Sequence, residues 1–139
     1  MKESRSRPVE FSRQDVAEIA IGCCIMAFPV ATAEEIWTLG ETLSTVRALL
    51  LAVASIFFLA LLMYQLHHST VAGSDRRDFA LRVVSTYGLT LVISALILFS
   101  IDRLDLFDEP QVALKRVILV AFPASFAATT VDSLNRSQP

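Results

Sequence analysis

Four uncharged apolar stretches limit what this chain can become: Ile19–Ala33, Ala48–Tyr64, Val83–Ile101 and Val117–Val131, of 15, 17, 19 and 15 residues. At about 1.5 Å of rise per residue, a hydrocarbon core of about 30 Å takes about 20 helical residues. The two middle runs approach that length directly, and the outer two reach it when their flanks are added. A soluble amphipathic helix carries a polar stripe on every turn, but Ala48–Tyr64 offers only Ser55 and Tyr64. In water such helices would have no face to present. The sequence therefore predicts an all-α, four-helix transmembrane bundle with helices near Asp15–Ile36, Val46–Leu66, Phe79–Ile101 and Gln111–Leu134. Residues 1–14 read as a basic cytoplasmic segment, 15–134 as the membrane domain and 135–139 as a cytoplasmic tail.

Composition supports this and excludes other classes. Charged residues make up 19% of the 139, below the roughly 25% usual in soluble domains, and mean hydropathy is +0.56. Twelve Lys and Arg against fourteen Asp and Glu give a net charge of −2, without the basic excess that binding nucleic acid requires. Loop cations set an orientation. Lys2, Arg5, Arg7, Arg13, Arg76, Arg77, Arg82 and Arg136 fall on one side, and Arg47, Arg103, Lys115 and Arg116 on the other. The positive-inside rule then places both termini in the cytoplasm of a bacterial cell, with the chain in its cytoplasmic membrane. Ala31-Thr32-Ala33 resembles a leader-cleavage site, but Asp15 and Glu18 do not suit a leader, so the first run is expected to stay as a span.

Cys23 and Cys24 are adjacent in the first run and read as small apolar helix residues. His67 and His68 would project about 100° apart on a helix and make a poor metal pair. Neither a metal nor any other cofactor is expected. No nucleophile motif, HExxH, phosphate loop or dinucleotide glycine pattern is present, and the chain is not expected to be an enzyme.

The sharpest candidate for function is a matched pair: Ala27-Phe28-Pro29 in the first helix and Ala121-Phe122-Pro123 in the fourth. Each proline lacks an N–H and frees the carbonyl four residues earlier, at Ile25 and Leu119, which predicts a kink in each helix. Counted along the apolar runs, both fall near the midplane on antiparallel helices, where interrupted spans mark binding sites in transporters. Thr86, Thr90 and Ser94 form a stripe at i, i+4 and i+8 on the third helix, and Ser125, Thr129 and Thr130 add hydroxyls on the fourth. Ala124, Ala127 and Ala128 form a small-residue face suited to close helix approach, and a homo-oligomer is expected from it. Among the acids, Glu18 and Glu34 read chiefly as solvated helix-end charges, Asp132 as a carboxylate at an unfavourable helix C-terminus that Arg136 at i+4 can offset, while Glu35 lies near Trp37, a natural interface anchor. Pro29, Glu35, Thr90, Ser94 and Pro123 together are the candidate lining of one polar cavity.

The run Phe28-Pro29-Val30-Ala31-Thr32-Ala33-Glu34-Glu35-Ile36-Trp37-Thr38-Leu39-Gly40 resembles a Leu-Pro-…-Glu-Val-Trp-Trp-Leu-Gly signature of bacterial integral membrane proteins, domain-of-unknown-function family 2391. Pro29, Glu35, Trp37, Leu39 and Gly40 fall on that pattern; Thr38 departs from its second Trp. Phe122-Pro123-Ala124-Ser125 resembles the family's Val-Pro-x-Ser segment in a late helix. The resemblance implies a multispanning membrane protein and brings no activity with it. It raises Glu35 above Glu34.

The functional expectation is a small transporter- or channel-like protein for an ion, a proton or a small solute, embedded in the lipid bilayer. The alternative is a non-transporting scaffold or accessory subunit, and a membrane enzyme comes third.

Overall fold

The computed structural model describes residues 13–66, 76–104 and 106–136. The basic residues before Arg13 and the His67-His68 pair lie outside the described residues. The described chain forms five helices: α1 Arg13–Ala31, α2 Glu34–Thr42, α3 Thr45–Leu66, α4 Arg76–Ser100 and α5 Pro110–Arg136. Four of them, all but α2, are long and apolar enough to cross a membrane.

The expected four helices become five because the predicted Asp15–Ile36 helix ends at Ala31. Ala33 adopts an extended backbone with ψ 127° and starts a new helix with Glu34 and Glu35 in its first turn. Carboxylates suit that position, beside the unpaired N–H groups of a helix start. The α1 end is held from the far side of the break: the Trp37 indole N–H donates to the Ala31 carbonyl at 2.8 Å, which satisfies one of the carbonyls a helix terminus leaves open. Neither proline interrupts its helix. Pro29 lies in the last turn of α1, and α5 stays helical on both sides of Pro123.

The other ends follow from local chemistry. Ser44 accepts a hydrogen bond from Arg47 N–H at 3.4 Å and caps α3. At the end of α4, Asp102 takes φ 56°. Its N–H donates to the Phe99 carbonyl at 3.1 Å, and Arg103 N–H donates to the Leu98 carbonyl at 2.9 Å. This paired closure needs a left-handed residue, a place where Asp is tolerated. Helix α5 opens with Pro110 at its first position, where a missing N–H costs nothing.

Helix α5 is the centre of the bundle and packs against each of the other four, while α1 and α3 lie on α4 as well. The main core joins Ile19, Cys23, Ala27 and Ala31 of α1 to Leu98 of α4 and Val117, Val120, Ala124 and Ala128 of α5. The α1–α5 contact is backbone to backbone. A Cβ placed on Gly22 would stand 2.8 Å from both the Ala127 carbonyl oxygen and the Ala128 Cα. The small-residue face of α5 is therefore covered by α1 of the same chain, and it does not supply the surface from which self-association was expected. A second cluster of Leu59, Met63, Val83 and Tyr87 joins α3 to α4. Outward, Ile25, Val46, Leu50, Phe57, Leu81 and Phe99 are each more than 60% exposed, a surface that only lipid or another apolar partner can cover. The protein is a multispanning α-helical membrane protein.

Candidate functional site

The interior holds a polar column. Thr86, Thr90 and Ser94, one turn apart on α4, are completely buried, and so are Ser125 and Thr129 on α5. Because α4 and α5 run antiparallel, one ion pair fixes their register: Arg82 Nη2 to Asp132 Oδ2 at 2.9 Å. From that pair, Thr86 lies about 6 Å and Thr129 about 4.5 Å along the axes, while Thr90 and Ser125 both lie about 11–12 Å along. The hydroxyls thus fall at matching depths on the two helices. Thr90 Oγ1 donates to the Thr86 carbonyl and Thr129 Oγ1 to the Ser125 carbonyl, at 2.8 and 3.0 Å. The Cys23 thiol of α1 donates to the Thr90 carbonyl at 3.9 Å. Thr86 Oγ1 and Ser94 Oγ are buried with no hydrogen-bond partner among the described residues. A hydroxyl in that state costs about 1–3 kcal/mol, so the column has unused hydrogen-bonding capacity.

Three acids stand at one end of the column. The carboxylate oxygens of Asp15, Glu18 and Asp132 lie within 4.8 Å of one another. Asp132 stands near the C-terminus of its own helix, a position that disfavours a carboxylate. The fold supplies the compensation: Arg82 from α4, and the N-terminal turns of α1 beside it. Asp132 and Arg82 keep only 2% and 15% of their side chains exposed. Removing one member of such a buried pair costs about 3–5 kcal/mol. Three carboxylates at this spacing are oxygen donors of the kind a hard cation uses, and the Arg82 guanidinium already balances one of their charges.

Past Ser94 the column gives way to Leu98, Ala31 and Val117, apolar residues of α4, α1 and α5. Beyond them stands a second buried charge. Arg116 keeps 5% of its side chain exposed and donates from Nη2 to Glu41 Oε1 at 2.9 Å and from Nη1 to the Arg103 carbonyl at 3.0 Å. Gly40 makes room for it: a Cβ there would meet Arg116 Cγ at 2.5 Å. The Arg103 guanidinium lies over the Trp37 ring, 3.8 Å from its centroid, a cation–π stack that fastens the α4–α5 loop to α2.

Of the residues predicted to line a cavity, Thr90 and Ser94 lie in the column. Pro123 is half-buried on α5, and Pro29 and Glu35 are exposed, outside the column. The Gly22 contact puts Pro29 within about 4 Å of the depth of Pro123, but Pro29 points away from the interior. Glu35 lines a shallow surface depression with Glu34, Thr38 and Leu39. Trp37 is half-buried and serves as the joint between α1, α2 and Arg103.

Sequence reasoning missed Arg82, Arg116 and the meeting of Asp15 and Glu18 with Asp132. One signal was available: Arg82 extends the stripe Thr86, Thr90, Ser94 by one turn, at the same spacing of four. No curated protein and no solved structure matches the chain. Two of the signature glycine and aromatic positions, Gly40 and Trp37, now have structural duties at the α2–α5 joint, the rest of the signature lies along α1 and α2, and residues 1–131 match the family described as "Putative integral membrane protein (DUF2391)", so the chain belongs to that family.

Proposed function

We propose that the protein carries a proton or a small cation across the membrane along the column between α4 and α5. The observation that carries this reading is the series of polar side chains set inside the bundle. It runs from the carboxylates of Asp15, Glu18 and Asp132, through Thr86 and Thr129, to Thr90, Ser125 and Ser94. Two of these hydroxyls, Thr86 and Ser94, are buried without a hydrogen-bond partner among the described residues, a cost that alanine there would avoid. Acids at the mouth concentrate cations, and hydroxyl and carbonyl oxygens can replace part of a hydration shell. In this reading Pro29 and Glu35 stand outside the path, and Pro123 loosens α5 beside it by freeing the Leu119 carbonyl.

The proposed orientation places both termini, and so the acidic mouth, in the cytoplasm, following the cation distribution of the loops. The column lies within one chain, so a homo-oligomer is a separate proposal. It would use α3, the least buried of the four spans.

The test is flux. Purified protein in liposomes, loaded with a pH-sensitive dye and then with alkali or divalent cation reporters, should dissipate an imposed gradient. Thr90→Val and Asp132→Asn should each slow it at least tenfold. Folded protein that moves neither protons nor any of these cations would refute the proposal and favour a membrane scaffold or accessory subunit.

A further inference from the structure

We propose that the ion pairs at the two ends of α5, Arg82–Asp132 and Glu41–Arg116, are two separate gates on the column. The inference rests on reading the column as a conduit and adds how access to it is controlled. Both pairs use α5, yet each ties it to a different partner: α4 at one end and α2 at the other. Arg116 and Asp132 are sixteen residues apart, about 24 Å along the helix, so they bracket the buried hydroxyls and the apolar residues past them. Each pair sets a deeply buried charge against a more accessible one. Asp132 and Arg116 are 1% and 4% exposed, while the Glu41 side chain is 61% exposed. A buried charge whose ion pair is separated draws water, because desolvation is what makes it costly. Separating either pair and wetting that end of the column are therefore coupled events. The apolar group of Leu98, Ala31 and Val117 lies between the two ends and keeps one wetted end from joining the other. The outer gate has its own hinge. Helix α2 is nine residues long, is bounded by extended backbone at Ala33 and Leu43, and rides on Arg116 through Gly40.

Cys23 is a built-in reporter: it is fully buried beside Thr90, between the two gates. In a Cys24→Ala background, protein is reconstituted in one orientation and treated with a membrane-impermeant sulfonated maleimide, from outside or trapped inside. Asp132→Asn should speed labelling of Cys23 at least tenfold from the side of the α1 start only, and Arg82→Gln, which removes the same pair from its other member, should do likewise. Glu41→Gln should speed it from the opposite side only. The exchanged pair Arg82→Asp with Asp132→Arg should return labelling to the slow rate, which a merely loosened fold would not do. Acceleration from the same side in all variants, no acceleration, or failure of the exchanged pair to restore slow labelling would overturn the gates. Labelling needs no flux, so sided labelling in a protein that moves no ion would sink the conduit and leave two ion-pair latches, whereas flux without sided labelling would sink the gates alone.

Discussion

Gly22→Ala should weaken the bundle although it improves the helix. Alanine in a helix interior is favoured over glycine by about 0.5–1 kcal/mol. At Gly22 the added methyl would sit 2.8 Å from the Ala127 carbonyl oxygen and from the Ala128 Cα, and 3.0 Å from Val131 Cγ2. Carbon atoms prefer about 3.5–4.0 Å, so α1 and α5 must part by roughly 0.5–1 Å. Two of the three obstructing atoms belong to backbone, which cannot rotate aside. Overpacking of this kind costs about 1–3 kcal/mol, and the separation would also loosen Cys23 and Ala27 against Ala124 and Ala128. The net expectation is a loss of about 1–2 kcal/mol. Gly88→Ala is the internal control, since a Cβ there has nothing within 4 Å and should stabilise α4 by up to about 1 kcal/mol. Reversible unfolding in mixed micelles, followed by circular dichroism, reads both. The reasoning fails if Gly22→Ala is as stable as Gly88→Ala.

Three further outcomes are expected. Arg82→Met should cost about 3–5 kcal/mol by removing the guanidinium that lies 2.9 Å from Asp132, and adding Asp132→Leu should recover most of that, since well-packed apolar pairs match buried ion pairs; equal losses in the single and double variants would contradict it. Gly40→Val should displace Arg116 from Glu41 and cost about 1–3 kcal/mol; unaltered stability in the same micelle titration would remove the clearance argument. Trp37 is the single tryptophan, so removing the stacked guanidinium by Arg103→Ala should change its fluorescence, and an unchanged spectrum would place Arg103 elsewhere.

The four spans were legible because a bilayer demands a single thing of a helix surface, and the runs from Ala48 and Val83 meet that demand almost without interruption. The buried stripe of α4 was legible for a similar reason: Thr86, Thr90 and Ser94 recur at the helical repeat. What escaped depended on contacts between segments distant in the chain. The break after Ala31 follows from Trp37 reaching back to a carbonyl and from Gly40 fitting Arg116, neither of which has a periodic signature. Glu18 reads alone as a solvated helix-end charge, because nothing in its neighbours shows that the start of α1 meets the end of α5 with Arg82 beside them. Pro29 misled by depth alone. Its distance along the helix was close to that of Pro123, but its direction around α1 depends on which face Gly22 and Cys23 turn to α5.

The central position of α5 carries a consequence for biogenesis. Helices α1 to α4 leave the ribosome first, yet the chief partner of α1 is a helix that has not yet been made, and α2 rests on the same absent element. A nascent chain grown to the α4–α5 loop is a set of inserted spans with a half-built interior, its glycine and alanine surfaces waiting in lipid. Only when α5 threads between them do the small faces close, the Arg82 guanidinium meet its carboxylate and α2 gain a floor. Assembly is therefore concentrated in one late step, and a chain stalled before that step would present membrane quality control with spans that lack a common core.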